Sequence, residues 1–157
     1  MGIRNDLARG KSGEDKVRDL FEQAGCVVTN NDEKGKLSDH DLLVSYGDER
    51  PFTIEVKNDE YAAKSGNIAI EVWNTRSDKP SGLTATQAEW WCHITDTLYF
   101  IPTKKLRVII ANTAPLRVIN NAGDGNARIL LYKTDNILKK FLKVDKSNLD
   151  LATFFGV

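Results

Sequence analysis

The sequence predicts a mixed α and β fold in which helices flank a central mixed sheet. Three observations carry this. Val17, Leu20, Phe21 and Ala24 recur at helical spacing near the N-terminus. Two segments, DLLVSY (41–46) and PFTIEVK (51–57), read as strands and meet at the turn-forming GDERP. Further strand-like runs (IAIEVW, TLYFIP, RILLYK) alternate with helical ones along the rest of the chain.

The elements follow in order. Residues 1–11, with Arg4, Arg9 and Lys11, read as a basic arm ahead of one domain spanning 12–157. Ser12 with Asp15 is a capping box that would open the first helix, and Gly25 would close it. Cys26 to Thr29 reads as a short strand and NNDEKGK as an exposed loop, before the hairpin. After the polar NDEYAAKSGN, residues 68–73 form a third strand, and NTRSDKPSGL is a turn-rich loop. Thr84 with Gln87 suggests a second capped helix, running to about His93 and burying Ala88, Trp91 and Cys92. TLYFIP and RILLYK are strands, KKLRVIIAN fits helix or strand, and TDNILKKFLK is a C-terminal helix capped by Thr134.

Composition narrows the classes. The 157 residues suit one domain with room for a core, and 22 basic against 22 acidic side chains give zero net charge. An indiscriminate polycation is excluded, while local basic patches remain open to a nucleic-acid partner. Cys26 and Cys92 lie in apolar surroundings without metal-ligand spacing and read as reduced thiols of a cytoplasmic protein. No run is apolar enough to span a membrane, so no membrane partner is expected, and the first residues lack the apolar centre of a signal peptide.

The hairpin carries the chemistry. With Gly47 to Pro51 as the loop, Tyr46 opposes Phe52, Asp41 opposes Lys57 and Leu43 opposes Glu55. One face then holds Asp41, Leu43, Ser45, Thr53, Glu55 and Lys57; the other is an apolar core face of Leu42, Val44, Tyr46, Phe52, Ile54 and Val56. Asp41 and Glu55 become diagonal neighbours, roughly 7–8 Å apart at Cα. Glu71 on the third strand and Glu14 at the head of the first helix's stripe are expected to converge on them. Close carboxylates repel unless a cation neutralises them. Hard oxygen ligands suit Mg²⁺ or Mn²⁺, and a lysine beside them orients water and stabilises charge on a phosphate. Asp39 is an alternative to Asp41 if the strand starts earlier. Asp59 and Glu60 read as solvated loop residues, and His40 and His93 as structural or surface ones.

An acid on a first helix, an Asp before an apolar run, a turn, and Glu-x-Lys in the next strand resemble the PD-(D/E)XK nuclease superfamily. The motifs that carry the resemblance are SGEDKVRDLFEQAG, HDLLV and TIEVK. The segments SGNIAIEVWN and PSGLTATQAEWW look similar to phage-type members, and the superfamily also includes Holliday-junction resolvases. His40 stands where the family often has Pro. The resemblance implies a restriction-endonuclease-like fold and a Mg²⁺-dependent DNA endonuclease. It implies that Asp41, Glu55 and the Val56 carbonyl bind the metal, that Lys57 positions the attacking water, and that Glu14 supports the site. Glu71 is a further candidate ligand, and homodimers are common in the family. A nuclease-fold domain that only binds nucleic acid or a protein is the competing reading. Ser81, Thr84, Gln87, Arg76 and Lys79 are candidate phosphate contacts, and Trp90 a candidate base-stacking platform. Lys104, Lys105 and Arg107 form a further basic group.

Overall fold

The computed structural model describes residues 2–30, 41–122 and 125–156, with side chains from Gly13 onward. Asp39, His40 and most of the expected NNDEKGK loop lie outside the described residues. The elements are α1 (Gly2–Gln23), β1 (Val27–Asn30), β2 (Leu42–Ser45), β3 (Phe52–Asn58), α2 (Tyr61–Ser65), β4 (Asn67–Asn74) and β5 (Lys79–Pro80). A 3-10 turn at Gly82–Thr84 leads to β6 (Trp90–Ile94), β7 (Leu98–Pro102), α3 (Thr103–Ala111) and β8 (Arg117–Ala122). The chain continues through β9 (Ala127–Lys133), α4 (Thr134–Leu138), β10 (Leu142–Val144) and α5 (Leu151–Phe155).

Six strands form a mixed sheet in the order β1-β2-β3-β6-β7-β10, in which only β3 and β6 run parallel. A parallel pair needs a long crossover, and here residues 59–89 supply it, carrying α2, β4, β5 and the 3-10 turn. β4 and β5 belong to a second, antiparallel sheet ordered β5-β4-β9-β8. One core lies on the α1 face of the larger sheet, gathering Val17, Phe21, Leu42, Val44, Ile54, Trp90 and Phe154. The other gathers Trp91, Ile101 and Leu106 with Ile68 and Ile70 of the smaller sheet. Cys26 and Cys92 are buried free thiols. No described helix is long and apolar enough to cross a membrane.

Several elements depart from the sequence reading. The first helix starts at Gly2, not Ser12, so the backbone of residues 2–11 is helical. A capping side chain is used only where the preceding backbone leaves amides orphaned, and here the chain upstream of Ser12 continues the ladder. The helix does end as expected: Gly25 adopts φ 95°, and the Cys26 N–H reaches the Phe21 carbonyl at 3.0 Å. Residues 84–93 are no helix. Trp90–Ile94 is a central strand buried on both faces, and a continuous apolar run is what a parallel strand covered on both sides requires. Thr134 is not a cap, since α4 has no side-chain capping bond and covers only five residues. The α5 helix, unforeseen, is capped by the Asp150 carboxylate accepting from the Ala152 N–H.

The hairpin keeps its faces but not its register. Leu42 opposes Ile54, Leu43 opposes Thr53 and Val44 opposes Phe52, a displacement of two residues from the expected pairing. Side chains alternate with a period of two, so this shift conserves both faces. The turn is longer than expected, and Tyr46, expected in the core face, is 43 % exposed beside it. Continued by one position, the observed register sets Asp41 directly across from Glu55.

Candidate active site

Asp41 is fastened to β3 through backbone and side chain. Its N–H donates to the Ile54 carbonyl at 3.1 Å, and its Oδ2 accepts the Val56 N–H at 2.8 Å. The N–H and C=O of one strand residue face the same neighbour, so the Val56 carbonyl also lies on the Asp41 edge of β3. Glu55 lies on the face away from α1, with its side chain 14 % exposed. Its Oε1 accepts from the Thr86 hydroxyl at 2.8 Å, and its Oε2 is 3.7 Å from the Lys57 ammonium.

Burial first, and then the charge of Asp41, push the Glu55 carboxyl from its ordinary 4.5 up to about 7. A hydrogen bond with Asp41 pushes the same way, while Lys57 and Thr86 pull it down. Glu55 thus holds its proton well above the ordinary carboxylate range. A site that retains a proton to relieve carboxylate repulsion equally suits a hard divalent cation, which displaces the proton.

Lys57 is steadied from the neighbouring strand. Its ammonium lies 5.9 Å from the centroid of the Trp91 ring. Trp91 Nε1 donates to His93 Nδ1 at 3.2 Å, so the neutral His93 carries its proton on Nε2 and donates it to Asp59 Oδ2 at 2.9 Å. Asp59 also accepts the Ala69 N–H at 3.1 Å, which ties β3, β6 and β4 together. Asp59 is therefore a structural anchor and not a solvated loop acid. Thr86 is held from α3: Arg107 Nη2 donates to the Thr86 carbonyl at 2.5 Å and Nε to the Leu83 carbonyl at 3.0 Å. Nothing in local spacing marks Thr86 or Arg107, because they reach the site only through the crossover and α3.

The expected convergence of four carboxylates is not what the structure presents. Among the described residues no group of three or more His, Cys, Asp or Glu side chains gathers in a metal-holding arrangement. Asp41 and Glu55 meet; Glu14 and Glu71 do not join them. Glu14 belongs to α1, which covers the opposite face of the sheet from Glu55, and it accepts from Asn30 Nδ2 at 3.4 Å. Glu71 lies on β4 of the other sheet, its carbonyl against Gly82. At Gly82 (φ 52°) an added Cβ would stand 2.2 Å from that oxygen, so only glycine permits the approach.

The candidate nucleic-acid contacts scatter. Trp90 is 1 % exposed and packs 4.5 Å from the Phe154 ring, which excludes it as a stacking platform. The Thr84 hydroxyl is engaged by the Val72 and Ser81 carbonyls instead of capping a helix. Ser81 Oγ is buried. Arg76 and Lys79 are exposed at the β4–β5 end of the smaller sheet, and Gln87 is exposed beside α3. No family model, curated protein or solved structure matches the chain.

Proposed function

We propose that this protein is a metal-dependent phosphodiester hydrolase with a restriction-endonuclease-like fold, acting on DNA as an endonuclease. The observation that carries the reading is the contact between Asp41 and Glu55, with Glu55 pushed up to about 7 and the Lys57 ammonium 3.7 Å away. Asp41, Glu55 and the Val56 carbonyl are the groups that would hold Mg²⁺ or Mn²⁺. When bound, such an ion supplies Lewis-acid stabilisation of the phosphate and a water of lowered pKa.

The chain's own residues do the rest. The Val56 N–H holds one Asp41 oxygen, and the Thr86 hydroxyl holds one Glu55 oxygen, which fixes both carboxylates without adding charge. Lys57 balances their charge, orients the attacking water and offers its ammonium to the developing negative charge on phosphate. Trp91, its ring oriented through His93 and Asp59, keeps that ammonium over the sheet. Cutting both strands of a duplex would engage two copies of the chain.

The test is a cleavage screen of single-stranded, duplex and branched DNA and of RNA, each with Mg²⁺ or Mn²⁺. Divalent-dependent cleavage that disappears in Glu55→Ala and Lys57→Ala is expected. Cleavage by both variants at the wild-type rate would sink the assignment, and binding without cleavage of any substrate would leave a non-catalytic domain.

A further inference from the structure

Beside the carboxylate pair, residues 86–89 and the start of α3 enclose a hollow of about 400 Å³. Its lining includes Thr86, Gln87, Glu89, Thr103, Lys104 and Arg107. Lys104, Gln87 and Arg107 are exposed there. The Glu89 carboxylate is tied to Arg50 at 2.8 Å, which offsets its charge. Thr86 belongs to both places: it lines the hollow and donates its hydroxyl to Glu55.

Two further observations indicate what the hollow takes. The nine-residue α3 starts here with no acidic residue in its first turn and no side-chain cap. Pro102 has no N–H, and the Thr103 N–H is taken by the Glu89 carbonyl at 2.9 Å. The amides of Lys104 and Lys105 are the remaining orphan donors of that turn, and they carry the positive end of the helix dipole. Separately, Thr103 is 1 % exposed and its hydroxyl has no hydrogen-bond partner. A buried hydroxyl left without an acceptor is costly to the fold. Helix amides, a hydroxyl lacking an acceptor and two cations together make a site for a phosphate group.

We infer that this hollow binds a phosphate of the nucleic-acid strand adjacent to the bond cut at Asp41 and Glu55. The inference rests on the nuclease reading for its position along the strand, and on the hollow alone for its chemistry. The phosphate is either an internal diester or a terminal monoester. Lys104 and the first-turn amides hold its charge, and the Thr103 hydroxyl donates to one of its oxygens.

The test separates binding from cutting. Oligonucleotides labelled at the 3′ end, with 5′-phosphate or 5′-hydroxyl, are titrated in EDTA against the wild-type chain, Lys104→Ala, Gln87→Ala and Thr103→Val. Lys104→Ala is expected to weaken binding about threefold or more and to lower the slope of affinity against salt by about one. Thr103→Val conserves shape, so weaker binding at an unchanged or raised Tm marks a hydroxyl used by ligand. A Lys104 effect confined to 5′-phosphorylated strands assigns a terminal phosphate; an equal effect on both assigns an internal one. Wild-type affinity and salt slope in both Lys104→Ala and Thr103→Val would overturn the site, as would failure of the wild-type chain to bind any oligonucleotide. If the variants weaken binding and no substrate is ever cut, the nuclease reading falls and the phosphate site stands. If wild-type cuts and the variants bind as it does, the reverse holds.

Discussion

Glu55, in the middle of β3, and Asp59, just past its end, stand four positions apart and are about equally buried, their side chains 14 % and 16 % exposed. Their surroundings differ in kind. Asp59 accepts from the Ala69 N–H and from His93 Nε2. Glu55 accepts from Thr86 but also faces Asp41, which together with burial pushes it up to about 7. Burial alone therefore does not distinguish the two acids. Asp59 is satisfied and holds strands together, whereas Glu55 is left in contact with a second carboxylate, the contact on which the proposed metal site rests.

The largest effect that would test this contrast is on catalysis. Glu55→Gln preserves shape and removes charge, and cleavage in Mg²⁺ should fall about 10²–10³-fold in single-turnover assays. The same pair of acids should differ in stability, with opposite signs. Asp59→Ala orphans His93 Nε2 and the Ala69 N–H, and urea denaturation should show a loss of about 2–4 kcal/mol. Glu55→Gln relieves repulsion and should gain about 1 kcal/mol at pH 8 without divalent ions. Equal signs for the two substitutions would erase the distinction.

The pH dependence follows with a defined sign. The folded chain keeps the Glu55 proton up to about 7, whereas the unfolded chain releases it near 4.5, so the folded state binds more protons between these values. Stability from this group is complete below 4.5 and is lost as pH rises through 7, by on the order of 2–3 kcal/mol. Subtracting the Glu55→Gln profile from that of wild-type, in divalent-free buffer, isolates the effect. Mg²⁺ should restore Tm above pH 7 in wild-type but not in Glu55→Gln. Smallest is Thr86→Val. Losing a hydroxyl that lowers the Glu55 pKa should move the acid limb of the rate profile upward by less than about one pH unit.

The hairpin shows why part of the site was readable. Alternation of apolar and polar residues over 41–57 assigns each side chain to a face, and a shift of two positions leaves those faces intact. Asp41, Glu55 and Lys57 therefore shared a face under the expected pairing and under the observed one. The register itself depended on how many residues the turn absorbs, and Tyr46 was misplaced for that reason. Trp90 was misread because an unbroken apolar strand and a buried helix have no distinguishing period. For Glu71 alternation says which face it occupies and nothing about which sheet it joins, and β4 joins the smaller one.

What the sequence determined alone was local and periodic: the stripe of α1 and its glycine stop, the hairpin's two faces, and the acid–acid–lysine set they carry. Tertiary structure decided everything that depends on long loops. It sent residues 59–89 across a parallel crossover, put β4 in a second sheet, and turned WWCHI into a central strand. It also brought Thr86 to Glu55 and Arg107 to Thr86. Local pattern constrains neighbours in sequence, whereas contacts between distant segments are selected by the burial and hydrogen-bond satisfaction of the whole fold.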